Sequence, residues 1–229
     1  MSRLRLWLRD DDAGPMRPEL AEAIRLLRPR PIAFAVVPRW LEPATVRALR
    51  AFPEAVVLQH GIAHADFAPA GAKKIELGGK ADRARLQRDL VGGRRRLQAA
   101  FPDQFLPVLV PPWNRIDPDV EAMLPQLGFA AISSFRGRRA PAVDGLLRID
   151  ADIDVVDWRK RRLLSPDELD RELSALGRDR GSSAIGILAH HAALGPAAVR
   201  AFCAWIATLE DRFPLAWLDP RALLAGVPA

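Results

Sequence analysis

Leu4, Leu6 and Leu8 alternate with Arg5, Trp7 and Arg9, a period of two that predicts an opening strand running into Asp10-Asp11-Asp12. Pro18–Leu27 has helical spacing and is stopped by Pro29-Arg30-Pro31. The apolar run 32–37 predicts a strand closed by Pro38, and 42–50 a short helix. Residues 55–58 form a buried strand that leads into His60-Gly61-Ile62-Ala63-His64. Residues 65–79 are irregular, a loop long enough to carry function. A polar helix follows over 80–100, then the strand Phe105–Val110, which ends in Pro111-Pro112-Trp113-Asn114-Arg115. Residues 118–127 predict a helix with Gly128 as its cap. Short strands follow at 129–133, 146–149 and 153–156, the last two set in an acidic cluster of Asp150, Asp152, Asp154 and Asp157. Ser165-Pro166-Asp167-Glu168 opens a helix with a capping box. A strand over 184–189 delivers His190-His191, and an apolar helix (196–209), a last strand (215–218) and a terminal helix from Asp219-Pro220 complete the chain.

Strands and helices alternate throughout, which argues for an α/β fold with a largely parallel sheet, open or closed. Polar residues recur at strand C-termini: Asp11-Asp12, His60, Trp113-Asn114, Asp157 and His190. In a barrel of parallel strands that edge carries the active site. Neither linker nor internal repeat divides residues 1–229, so one domain is expected.

Composition narrows the choice. Hydrophobic residues make up 49% of 229, enough for a substantial core, and no uninterrupted apolar run suggests a membrane span. The N-terminal segment is a poor signal peptide and a good strand, and the single Cys203 excludes a disulfide framework; a cytoplasmic protein is expected. The net charge of +6 comes from arginines scattered among acids, and the runs Arg94-Arg95-Arg96 and Arg159-Lys160-Arg161-Arg162 read as solvated faces, not as a nucleic-acid surface.

All four histidines follow strand-like runs. A helical turn at 60–64 would put both imidazoles on one face. Two histidines and a carboxylate make a common catalytic metal set, so Asp12, His60 and His64 are proposed ligands. Three consecutive carboxylates repel one another unless a cation or arginines neutralise them. Asp11 could take a proton from a metal-activated water, and His190 could protonate a leaving amine. Strand alternation sends one of His190 and His191 to the site and the other away. A helical zinc-protease motif is absent because position 61 is Gly, and neither a Gly-x-Ser-x-Gly elbow nor a phosphate-binding glycine loop occurs. Cys203 reads as a packed small residue.

In order, these motifs resemble the polysaccharide deacetylase family, carbohydrate esterase family 4. Arg9-Asp10-Asp11-Asp12-Ala13 approaches its Thr-Phe-Asp-Asp-Gly motif, with Asp11 as base and Asp12 as ligand; a shift of one, to Asp10 and Asp11, is the alternative register. His60-Gly61-Ile62-Ala63-His64 matches the spacing of His-Ser/Thr-x-x-His, and Val110-Pro111-Pro112-Trp113-Asn114 approaches Arg-x-Pro-Tyr-Gly. Asp157-Trp158 and Ile187-Leu188-Ala189-His190 resemble the fourth and fifth motifs. The resemblance implies a distorted (β/α)7 barrel and metal-dependent removal of an N-acetyl group. It gives the backbone amide of Trp113 a share in holding the oxyanion. Asp10, Asn114, Arg115, Trp158 and His191 flank the motifs and are candidates for contacting substrate.

The departures matter. Val110 stands where the family has an arginine that orients the catalytic aspartate, so Arg9, Arg115 or Arg136 must substitute; Ala13 and Asn114 replace glycines. Secreted members act on polymers, whereas no export signal is visible here, so a soluble acetylated sugar or small amide suits as well as a polymer. The loop with Lys73, Lys74 and Glu76 is expected to shape specificity or to be a solvated charged loop. The ligand set suits zinc first, with cobalt, nickel, manganese or iron also accommodated. The rival reading is a barrel that has lost catalysis and binds a sugar or a partner, and Val110 favours it.

Overall fold

The computed structural model describes residues 3–137, 141–180 and 184–224. Its centre is strand β1 (Leu4–Ala13), whose alternation sends Leu6 and Leu8 to one face and Trp7 to the other. The chain then runs through α1 (Pro18–Leu27), β2 (Ile32–Val36), α2 (Pro43–Arg50), β3 (Ala55–His60) and α3 (Arg83–Ala100). Next come β4 (Phe105–Val110), α4 (Pro118–Met123), β5 (Ala131–Ile132), β6 (Leu147–Arg148) and β7 (Ile153–Asp154). An antiparallel hairpin of β8 (Val156–Asp157) and β9 (Arg162–Leu163) leads to α5 (Pro166–Arg180), β10 (Ile185–Ala189), α6 (His191–Arg212) and β11 (Leu215–Trp217).

Among the described residues nine strands form one sheet in the order β6-β5-β4-β3-β2-β1-β10-β7, with β11 on the opening end of β1, and every pairing is parallel. The sheet curls into the expected distorted α/β barrel. From β5 to β9 each strand is only two residues long, and among the described residues no helix lies between β5, β6 and β7, which is where the regular alternation fails. Leu6, Leu8, Ile32, Phe34, Val57, Ile185 and Ile187 pack outward against the helical layer. The inner face is filled by small and branched side chains, Ala33, Ala35, Val56, Leu58, Val108, Val110 and Ala131. Gly186 is required there: a Cβ would lie 2.6 Å from the Trp7 ring.

Local chemistry explains the ends. Asp82 caps α3 by accepting from the Arg85 amide at 2.6 Å, so that helix begins later than the polar run suggested. Ser165 and Glu168 form the expected capping box at α5. Gly128 takes the left-handed conformation (φ +82) after α4. The last helix starts earlier than expected, at His191, and kinks at Gly195 (φ +71) before Pro196. By length and composition α6 could cross a membrane, yet its Val199, Phe202, Trp205, Ile206 and Leu209 are buried in the core.

Candidate active site

The C-terminal ends of β1, β3, β4, β7 and β10 open onto a cleft of about 990 Å3. It is lined by Asp11, Asp12, His60, His64, Trp113, Asn114, Arg115, Asp154, Trp158 and His190. Asp10 and His191, also expected to contact substrate, are not among its lining residues.

A bulge shapes the β1 end. Pairing with β2 runs Asp10 to Phe34 and then Ala13 to Val36, so β1 carries one extra residue. Asp12 sits at φ +71 within it. Plain alternation would send Asp11 and Asp12 to opposite faces, and the bulge lets both line the cleft.

Asp12 Oδ1 lies 3.2 Å from His60 Nε2 and 3.3 Å from His64 Nε2. One donor atom from each residue falls within 4.8 Å of the others. The turn that joins the two histidines is not helical, which corrects the expected geometry. Gly61 (φ +53) and His64 (φ +56) are both left-handed, and the backbone doubles back so that the rings meet at 5.3 Å. The buried carboxylate of Glu76 stitches this turn, accepting from the amides of Ile62 (3.0 Å), Ala63 (2.7 Å) and Ala65 (3.1 Å). Glu76 therefore points inward and does not belong to a solvated specificity loop.

The donor set fits a divalent ion. His60 Nδ1 donates to the Val110 carbonyl at 3.0 Å, which leaves Nε2 as the nitrogen available to an ion. Two donor atoms about 2.1 Å from one ion stand about 3.0–3.4 Å apart in octahedral or tetrahedral geometry, matching the spacings from Asp12 to each histidine. Burial alone would raise the Asp12 carboxyl, but the imidazoles of His190, His60 and His64 around it hold it well below its ordinary value. Burial opposes charge on His60, and the Asp12 contact overrides it and raises its pKa. Burial wins at His64, which is lowered.

On one side stands Asp11, gripped by a fully buried arginine. Arg9 Nε lies 2.9 Å from Asp11 Oδ1, and Nη2 donates to Oδ2 at 3.1 Å. The same guanidinium donates to Ser133 Oγ (2.6 Å), the Ser134 carbonyl (3.2 Å) and Asn114 Oδ1 (3.4 Å). Of the three arginines considered as substitutes at Val110, Arg9 faces the carboxylate. Arg115 instead donates to the Lys74 carbonyl, and Arg136 pairs with Glu172.

On the other side, His190 stands between Asp12 (Nδ1 to Oδ2, 3.9 Å) and Asp154 (Nε2 to Oδ2, 3.4 Å). Burial would depress its pKa, but the two carboxylates push it up to about 10. Asp154 is in turn lowered, burial opposing and His190 dominating the opposite effect. Trp158 holds this pair from outside, donating to Asp154 Oδ2 at 2.8 Å and standing edge-on to the His190 ring at 4.9 Å. Asp157, read as the fourth-motif acid, instead caps the β8–β9 turn through the amides of Arg159 and Lys160. Asp154 is the acid that sequence reasoning passed over. It lay within the acidic cluster, and only the paired strand end selects it.

Trp113 (φ +53) and Asn114 (φ +54) form a left-handed pair at the end of β4, with the Trp113 ring 4.3 Å from His64. Two non-glycine residues in that region store strain, which tends to gather at functional turns. Asn tolerates the conformation where the resembled motif has Gly.

Asp10 and His191, expected to touch substrate, form a buried pair behind β1, joined by a short Asp10 Oδ1–His191 Nδ1 contact. Asp10 precedes the bulge and keeps the outward phase of Leu6 and Leu8. The Asp10–Asp11 register therefore leaves Asp10 away from His60 and His64; the Asp11–Asp12 register places Asp12 against both.

No protein-family model matches the sequence, and no curated protein matches it. Solved structures do match. A Mycobacterium smegmatis protein described as a polysaccharide deacetylase superposes with a TM-score of 0.70 at 16% identity, over 98% of this chain and 90% of that one. A family 4 acetyl xylan esterase from Clostridium thermocellum, in complex with cobalt, gives 0.63 at 15% identity over 98% and 93%. A mutant family 4 pseudoenzyme with restored activity gives 0.61 at 15% identity, over 97% of this chain and 67% of its own. Over nearly its whole described length, this chain has the fold of the polysaccharide deacetylases and family 4 carbohydrate esterases.

Proposed function

We propose that the protein is a metal-dependent hydrolase that removes an N-acetyl or related acyl group from an amino sugar or a similar carbohydrate amide. The observation that carries this is the Asp12–His60–His64 triangle, with Asp11–Arg9 on one flank and Asp154–His190 on the other. When bound, a divalent ion, zinc first among those the donors suit, supplies Lewis acidity: it brings the pKa of a water towards about 7 and polarises the acyl oxygen.

The chain's own groups supply the rest. Arg9 positions Asp11 as the acceptor for the water's proton as the C–O bond forms. His190, paired with Asp154, faces the cleft as the donor to the amine nitrogen as the C–N bond breaks. The Trp113 turn presents backbone to the place where the acyl oxygen would sit. Asn114 and Arg115 line the adjoining wall, with Trp158 opposite, where an aromatic face suits a sugar ring. The solved relatives act in complexes whose descriptions mention acetate and cobalt, which supports an acyl substrate and a divalent ion for this site too.

The rival reading is a catalytically inactive barrel that binds a sugar or a partner, and a pseudoenzyme shares this fold. Val110 favoured that reading. Arg9 weighs against it by taking up the vacant contact with Asp11. Acetate release from N-acetylglucosamine oligomers and from small N-acetyl amides, before and after chelation and with metal restored, tests the proposal. Metal binding without acetate release from any acetylated substrate would support the rival. A cytoplasmic location belongs to the proposal and is tested by cell fractionation.

A further inference from the structure

We infer that Glu76 is a positioning residue that holds the His60–His64 turn in its ligating shape before any metal arrives. The inference rests on the metal-site reading above and adds to it a residue outside the ligand set. The carboxylate is 1% exposed and spends both oxygens on one short stretch of backbone: Oε2 on the Ile62 amide, Oε1 on those of Ala63 and Ala65. Charge-assisted bonds of this kind are the stronger class. The conformation they hold is otherwise disfavoured, because His64, an L residue with a Cβ, stands at φ +56. Released, that residue would relax towards negative φ and swing its imidazole away from Asp12.

Two further observations point the same way. Gly61 has no side chain with which to brace the turn, and a Cβ there would meet Glu76 Oε2 at 2.1 Å, so the glycine makes room for the carboxylate. Glu76 is itself anchored to the segment that follows Arg115. Its neighbour Leu77 is fully buried, bridges to Ile116, and accepts from the Asp117 amide at 2.9 Å. The turn that carries the histidines is thereby tied to the segment that follows Trp113 and Asn114.

The test is Glu76→Gln in the full chain, stripped of metal and titrated with zinc or cobalt alone. A carboxamide keeps the shape but offers one acceptor oxygen, and its NH2 would face an amide donor. The expected result is a metal Kd about 10–100-fold weaker, the range seen when a group supporting a ligand is removed. In the metal-free protein, hydrogen exchange should speed up at the Ile62, Ala63 and Ala65 amides and stay slow at Val56 and Val57. A merely structural role would lower the melting temperature and leave the Kd of the folded chain unmoved. An unchanged Kd, or unchanged exchange at those three amides, overturns the inference. A wild-type chain that takes up no divalent ion overturns the metal reading itself, a different failure from a wild type that binds and a variant that binds equally well. If Glu76→Gln does not fold, Glu76→Asp keeps the charge but shortens the reach, and the same two readouts apply.

Discussion

Arg9 and Asp11 lie two residues apart on one strand and face each other inside the barrel, Nε 2.9 Å from Oδ1 and Nη2 3.1 Å from Oδ2. The strand's period of two makes this possible, since both side chains point inward. Breaking a buried pair by removing one partner typically costs about 3–5 kcal/mol, because the other charge is left behind. Arg9→Met should therefore destabilise the fold by an amount in that range and abolish acetate release. Arg9→Lys should recover stability in part but not the paired contact, and so should leave kcat low. Urea denaturation and single-substrate kinetics on both variants check this.

Metal should stabilise the native state. An ion that binds only the folded chain adds about 2.7 kcal/mol at a hundredfold excess over its Kd. The melting temperature should rise with zinc or cobalt concentration and return on chelation. Asp12→Ala and His64→Ala should erase the rise, while Asp157→Ala, a substitution in the β8–β9 turn, should keep it. Thermal melts across a metal titration read this directly.

His190 gives the metal-free protein a pH dependence of known sign. Its folded pKa is raised to about 10, above the unfolded value, so charged His190 favours the fold. That stabilisation is fully present below the unfolded value of about 6.5 and is lost as pH rises through the folded one. Asp154→Asn removes one of the two carboxylates that raise it, so the loss should begin at lower pH. Denaturation midpoints between neutral and alkaline pH, with imidazole resonances followed by NMR, test the shift.

Cys203 is buried in α6, and burial pushes its thiol up to about 12. The thiolate is the reactive form, so the native protein should resist alkylation at mildly alkaline pH and label fully once unfolded. Mass spectrometry with and without denaturant settles it.

The inner face predicts a packing penalty. A methyl on Gly186 would meet the Trp7 ring at 2.6 Å. Gly186→Ala should destabilise the protein by about 1–3 kcal/mol, the usual range for overpacking. Equilibrium denaturation measures it, and pairing the substitution with Trp7→Phe should recover part of the loss.

Much of this was legible in the chain. The period-two and period-3.6 stretches placed the principal strands and helices, because each element buries one face and its sequence must repeat with that face. The residues that end those strands were legible too: Asp11, Asp12, His60 and His190 all reach the cleft. Less legible were contacts made by residues whose phase is broken. Asp10 looked equivalent to its two neighbours until the bulge set it apart, and the His60–His64 spacing fits a helix as well as the left-handed turn that occurs.

By itself the sequence determined the α/β alternation, the edge of the sheet where polar strand-end residues gather, and the identity of the metal-ligand candidates, since hydrophobic periodicity and residue type are local properties. Only the tertiary structure decided that Arg9 holds Asp11, that Asp154 and not Asp157 faces His190, and that Glu76 braces the histidine turn. Those choices depend on where a bulge falls and on which carboxylate finds its partner across the barrel. Spacing along the chain carries no record of such distances; they exist only once the strands have paired.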